Sequence, residues 1–80
     1  MKEYIATFHT HLSALLTSRA LTGLGIQARM MPVPRKLSSS CGTCVRYLAE
    51  DPTLSAMDED VEAVYEKIGK EEYTLLMNGE

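Results

Sequence analysis

Apolar and polar positions along the chain recur with two periods, one of strands and one of helices. Tyr4-Ile5-Ala6-Thr7-Phe8 is β-branched and aromatic, too short for a helix, and predicts a strand. Leu12, Leu15, Leu16, Ala20 and Leu24 then recur at i, i+3, i+4, i+8 and i+12, the stripe of an amphipathic helix. The Thr10 hydroxyl is placed to cap its start, and Gly23 or Gly25 to end it, with Ile26 positioned for the apolar contact that follows such an end. Ile26–Met31 alternates apolar and polar over its first residues and predicts a half-buried strand, stopped by Pro32 and Pro34. Residues 32–42 combine fixed proline φ angles, three serines and a glycine, which is loop chemistry. Cys44–Leu48 resumes strand character until Glu50-Asp51-Pro52 breaks it. Met57, Val61, Val64, Tyr65 and Ile68 fall at i, i+4, i+7, i+8 and i+11 and predict a second helix. Its polar face is Glu59, Asp60, Glu62, Glu66 and Lys67, with Ser55 and Asp58 as a capping box and Gly69 as the terminal glycine. Glu72–Met77 predicts a last strand, and Asn78-Gly79-Glu80 a frayed tail.

The order β-α-β-β-α-β predicts an α+β, ferredoxin-like single domain over residues 1–80, with a four-stranded antiparallel sheet and both helices on one face. A right-handed crossover gathers the end of the first strand, the start of the first helix and the loop between the second and third strands at one end of the sheet. That places His9, Thr10 and His11 beside Cys41 and Cys44. Eighty residues hold one domain. Such a chain buries about 60% of its unfolded surface and keeps roughly 3–5 kcal/mol of net stability. A deep cleft inside a large core is excluded, so chemistry is expected on a loop and completed by partners. Apolar residues make up 45% of the chain, but no apolar run approaches the ~18 residues of a membrane span. Met1-Lys2-Glu3-Tyr4 lacks the apolar block of a signal peptide, and the expectation is a cytoplasmic protein without membrane attachment.

The net charge of -3 divides unevenly along the chain. Residues 4–49 carry Arg19, Arg29, Arg35, Lys36 and Arg46 and no acid, whereas residues 50–80 carry ten acids against Lys67 and Lys70. The basic half offers a place for an anionic partner, unless the two halves neutralise each other across the fold. Five cations without interleaved aromatics are too few for a nucleic-acid footprint, so no nucleic-acid partner is expected. The acidic second helix reads as a solvated face or a docking surface, and the five methionines as core filling rather than a copper site.

Cys41-Gly42-Thr43-Cys44 is the cluster with reactive potential. Two thiols at this spacing suit a dithiol redox pair, half of a zinc site, or a nucleophile with a resolving thiol. A thioredoxin-like arrangement needs the first cysteine at a helix start, and here the pair runs from a serine-rich loop into a strand. Thiolate is the reactive form, and cations favour it. Arg35, Lys36 and Arg46 lie within six residues of Cys41, and Ser40 and Gly42 flank it, so these five residues are the candidate chalcogen- or anion-binding set. Gly42 leaves room for another thiol to approach the sulfur in line. His9 and His11 are candidate bases for Cys41, and with Cys41 and Cys44 they form a possible tetrahedral zinc set of two nitrogens and two sulfurs. No cofactor is expected.

Pro32-Val33-Pro34-Arg35-Lys36-Leu37-Ser38-Ser39-Ser40-Cys41-Gly42, preceded by Gly25-Ile26 and a short strand, resembles the signature of the selenium/sulfur carrier-like family of small bacterial proteins. Thr7-Phe8 and Ala14-Leu15 match it too, and the resemblance covers about residues 3–48. It implies a ferredoxin-like fold and a role in handling selenium or sulfur through Cys41. Cys44 goes beyond the family's single thiol. The implied chemistry is a carrier rather than a catalyst: Cys41 accepts a chalcogen as persulfide or selenosulfide from a protein donor such as a cysteine desulfurase and yields it to a protein acceptor. Cys44 is placed to expel it by forming a disulfide. Competing readings are a thiol-disulfide redox protein and a zinc-binding or protein-interaction module. A homodimer through a free strand edge also stays open.

Overall fold

The computed structural model describes residues 1–79. Its elements are β1 (Lys2–Phe8), α1 (His11–Gly23), β2 (Gln27–Pro32), β3 (Thr43–Ala49), a short 3-10 turn at Leu54–Ala56, β4 (Val61–Gly69) and β5 (Glu72–Asn78). The strands form one antiparallel sheet in the order β2-β3-β1-β4-β5, and α1 lies over β2, β3 and β1 on one face. The core sits between them, with Tyr4, Ala6, Phe8, Val45 and Tyr47 from the sheet meeting Ala14 and Leu21 from the helix. Tyr4 and Tyr47 stack at 5.3 Å, and the Tyr47 hydroxyl donates to the Pro52 carbonyl at 2.6 Å. A buried hydroxyl is thereby satisfied.

The elements of the first half of the chain occur in the order their pattern predicts. β1-α1-β2 is a crossover that leaves β1 and β2 parallel with β3 between them, since both are antiparallel to β3. Thr10 caps α1 by accepting from the Ser13 amide at 3.1 Å. At the other end Gly25, at φ 83°, takes the left-handed conformation that favours glycine. Ile26 N–H then reaches the Leu21 carbonyl and Gly25 N–H the Thr22 carbonyl, both at 3.0 Å, the paired bonds of a Schellman end.

The buried face of α1 is not the leucine stripe. Ser13, Ala14, Thr17 and Leu21 face the sheet, while Leu12, Leu16 and Leu24 are exposed. Small residues let the helix sit close to the strands. The two buried hydroxyls are matched by Asp58: Ser13 Oγ donates to its carboxylate at 2.7 Å, and its amide donates to Thr17 Oγ1 at 2.9 Å.

The ferredoxin-like expectation of four strands and two helices is overturned in the second half. The segment predicted as a second helix is β4, which occupies the place beside β1, and β5 adds a fifth strand through a hairpin at Lys70-Glu71. Val61, Val64, Tyr65 and Ile68 are β-branched or aromatic, the types that favour strands. Their helix-like spacing has a local cause. Phe8 pairs with Val61 and Thr7 with Ala63, so Glu62 is an extra, bulged residue. Inserting one residue changes the parity of the strand, and Val61 and Val64 come to share the core face at i, i+3. Ser55 and Asp58 accordingly make no capping box, and Gly69 lies at the hairpin instead of a helix end. Ala56 and Met57, in the connection from β3 to β4, pack on the core in place of the missing helix. Asn78 belongs to β5 and Gly79 N–H bonds the Glu62 carbonyl at 2.9 Å, so neither is frayed; Glu80 lies outside the described residues. Among the described residues no helix is long and apolar enough to cross a membrane.

Candidate functional site

The loop between β2 and β3 is drawn closed at its base by Val33 N–H bonding the Gly42 carbonyl at 3.1 Å. A turn from Ser39 to Gly42 presents Cys41, with Gly42 at φ 74°, again the region that favours glycine. Cys41 is a free, half-buried thiol, and Cys44 a free, buried one. The two differ in kind because the strand begins between them.

Cys41 Sγ lies 3.5 Å from the Thr43 carbonyl and 3.8 Å from Ser39 Oγ. Ser39 donates its one proton to the Phe8 carbonyl at 2.9 Å, so toward Cys41 it accepts. A sulfur anion at Cys41 gains Ser39 as a donor only when Ser39 releases Phe8. Ser40 is held by Glu62: its amide donates to one carboxylate oxygen at 3.1 Å and its hydroxyl to the other at 3.0 Å. The bulge that disguises β4 as a helix therefore also turns Glu62 toward the cysteine loop, a common use of bulges near sites. Neither Ser39 nor Glu62 stands out in the sequence; the one signal for Glu62 is the single-residue break in an otherwise strand-like run.

The predicted convergence of histidines and cysteine loop is present. His9 Nδ1 is 3.4 Å from Ser40 Oγ and 3.9 Å from Glu62, and His11 Nδ1 is 3.4 Å from Thr43 Oγ1. His9 touches the loop and His11 the first residue of β3, each through a hydroxyl, and neither hydrogen-bonds the Cys41 sulfur among the described residues. The proposed zinc set is not assembled, because among the described residues no three His, Cys, Asp or Glu side chains converge on one point. Arg35 and Lys36 are exposed on the loop, whereas Arg46 is engaged by Glu3 on the uncovered face of the sheet. The loop that bears Cys41 thus also carries two exposed cations, and a carboxylate 21 residues away in sequence is bonded to the neighbouring Ser40.

Cys44 shares the uncovered sheet face with its cross-strand partner Thr7, and its sulfur lies 3.8 Å from the Pro32 carbonyl. Burial, and secondarily the charge of Cys41, push this thiol up to about 11 from its ordinary 9.0. The folded state holds a proton that the unfolded state loses above pH 9, so stability falls as pH rises from 9 toward 11. The expected loss from this residue is roughly 2–3 kcal/mol. Urea titrations at stepped pH check it: Cys44→Ala is expected to show a flatter decline over that window, and curves parallel to the wild type refute the assignment.

Comparison with known proteins extends the resemblance beyond the loop. The chain is 36% identical over 45 residues to the uncharacterized protein YtiA of Escherichia coli (strain K12), an alignment taking in 56% of this chain and 53% of that protein. The chain therefore matches about half the length of this relative. No solved structure matches. The family model described as "Putative Se/S carrier protein-like" matches residues 3–74, from β1 into β5 and through the whole cysteine loop. On that match the chain belongs to the Se/S carrier-like family.

Proposed function

We propose that the protein carries a sulfur or selenium atom on Cys41 between two partner proteins. The observation that carries this reading is the inequality of the two thiols: Cys41 is half-buried next to the base of an anchored loop, and Cys44 is fully buried in the sheet, where burial raises its thiol. Loading is a displacement at the outer chalcogen of a donor persulfide or selenosulfide. The Cys41 thiolate bonds that atom, the bond from donor sulfur to it breaks, and the donor leaves as thiolate. An acceptor thiolate reverses the step on Cys41, so the cycle needs no external oxidant or reductant. Arg35 and Lys36 supply positive charge on the same loop for the terminal anion. A buried, protonated Cys44 is a poor internal nucleophile, which favours hand-off to a partner over expulsion by an internal disulfide.

Intact mass after incubation with a cysteine desulfurase and its amino-acid substrate tests the reading. The wild type and Cys44→Ala are expected to gain the mass of one sulfur or selenium atom, and Cys41→Ser is expected to gain none. No adduct on the wild type, or one that survives Cys41→Ser, sinks it.

A further inference from the structure

The sheet has two free edges, and their chemistry differs. β2 ends at Pro32, is followed by Pro34 and presents exposed Arg29, features that oppose pairing with another strand. β5 has no proline, and its one charge, Glu72, sits at its first residue. Residues 73–78, Tyr-Thr-Leu-Leu-Met-Asn, contain no charge and no proline, and Leu75 and Leu76 are 52% and 39% exposed. Among the described residues β4 is the one element that packs extensively on β5. The outer side of β5 is thus an open row of backbone donors and acceptors flanked by apolar side chains, a template for a further strand.

We propose that this edge is a homodimer interface, in which β5 pairs antiparallel with β5 of a second copy about a two-fold axis at Thr74. Side-chain face and charge select the register. About Thr74, Tyr73 lies opposite the partner's Leu75, and Leu75 opposite the partner's Tyr73. Both residues share the face of Lys67 and Tyr65, their neighbours on β4, and Tyr73 already meets Tyr65 edge-on at 6.5 Å. The pairing joins Tyr65, Tyr73 and Leu75 of both copies into one apolar cluster, the type of cross-strand contact that stabilises sheets. Glu72, the charge on this strand, falls opposite the partner's Leu76, so no like charges meet. An axis at Leu75 instead sets Tyr73 across from the partner's Met77, although Met77 turns to the core face beyond the bulge at Leu76. An axis at Tyr73 draws the hairpin residues Lys70 and Glu71 into the ladder. A contact that uses the same neutral strand on both sides is closed and two-fold, the commonest form of assembly.

Sedimentation equilibrium of the purified chain, in reductant and over a micromolar concentration series, is expected to approach twice the monomer mass. Leu75→Lys is expected to weaken association at least about tenfold, read from the same series. Its far-UV spectrum is expected to be unchanged, because Leu75 is on the surface. In a Cys41→Ser background, Thr74→Cys is expected to cross-link two copies on diamide treatment, since a residue on the axis faces itself within disulfide reach. Arg29→Cys on the other edge is expected not to. A mass that stays monomeric, a dimer unaffected by Leu75→Lys, or cross-linking through Arg29→Cys in place of Thr74→Cys overturns the proposal.

Discussion

Phe8→Ala is expected to leave the chain largely unfolded at 25 °C. Phe8 is fully buried where β1 ends, under the start of α1 and opposite Val61 at the bulge. Removing a buried phenylalanine costs about 3–5 kcal/mol, through lost transfer energy and the cavity left behind. A core of this size supplies roughly 3–5 kcal/mol in total, so the change is as large as the stability it draws on. The Phe8 carbonyl also receives Ser39, which ties the loss of the core to loss of order at the cysteine loop. Leu12→Ala is the internal control. Its apolar spacing makes it a core residue in the sequence, but it is 62% exposed, and its removal is expected to change stability by less than about 0.5 kcal/mol. Urea unfolding of the two variants checks both statements, and equal losses refute this account of the helix face.

The second large effect concerns the thiols. In the native protein one cysteine is expected to react with iodoacetamide at neutral pH, and the other at least about 100-fold more slowly. The two-unit rise of the Cys44 thiol alone lowers its thiolate population about 100-fold relative to an ordinary thiol. Complete burial of the side chain slows it further. Peptide mapping is expected to place the fast label on Cys41, Cys41→Ser to abolish the fast phase, and denaturant to make the two cysteines equal. A fast label on Cys44 removes the distinction on which the carrier reading rests.

The legible and illegible parts of this fold divide along recognisable lines. Thr10, Gly25 and Ile26 act through their own backbone neighbours, so the ends of α1 are written within a few residues of sequence. The crossover from β1 to β2 follows from handedness, and with it the meeting of His9 and His11 with the cysteine loop. The helix face was misleading because leucines at i and i+4 mark an apolar stripe without saying whether the sheet meets it. Ser13 and Thr17 reach the interior only because Asp58, 45 and 41 residues away, supplies their hydrogen bonds. β4 was misleading for a stronger reason. A bulge moves one residue out of the two-residue alternation, and the remaining apolar positions imitate the period of a helix.

The sequence by itself determined the cysteine loop, the two cysteines and the family to which the chain belongs, since these rest on contiguous residues. Only the tertiary structure decided that the acid-free neighbourhood of Cys41 contains Glu62, that Arg46 is taken by Glu3, and that Cys44 stays protonated. Charge and burial at a sulfur atom depend on distances through space. Here those distances are set by strand order and by one extra residue in β4, neither of which is encoded in the spacing around the cysteines.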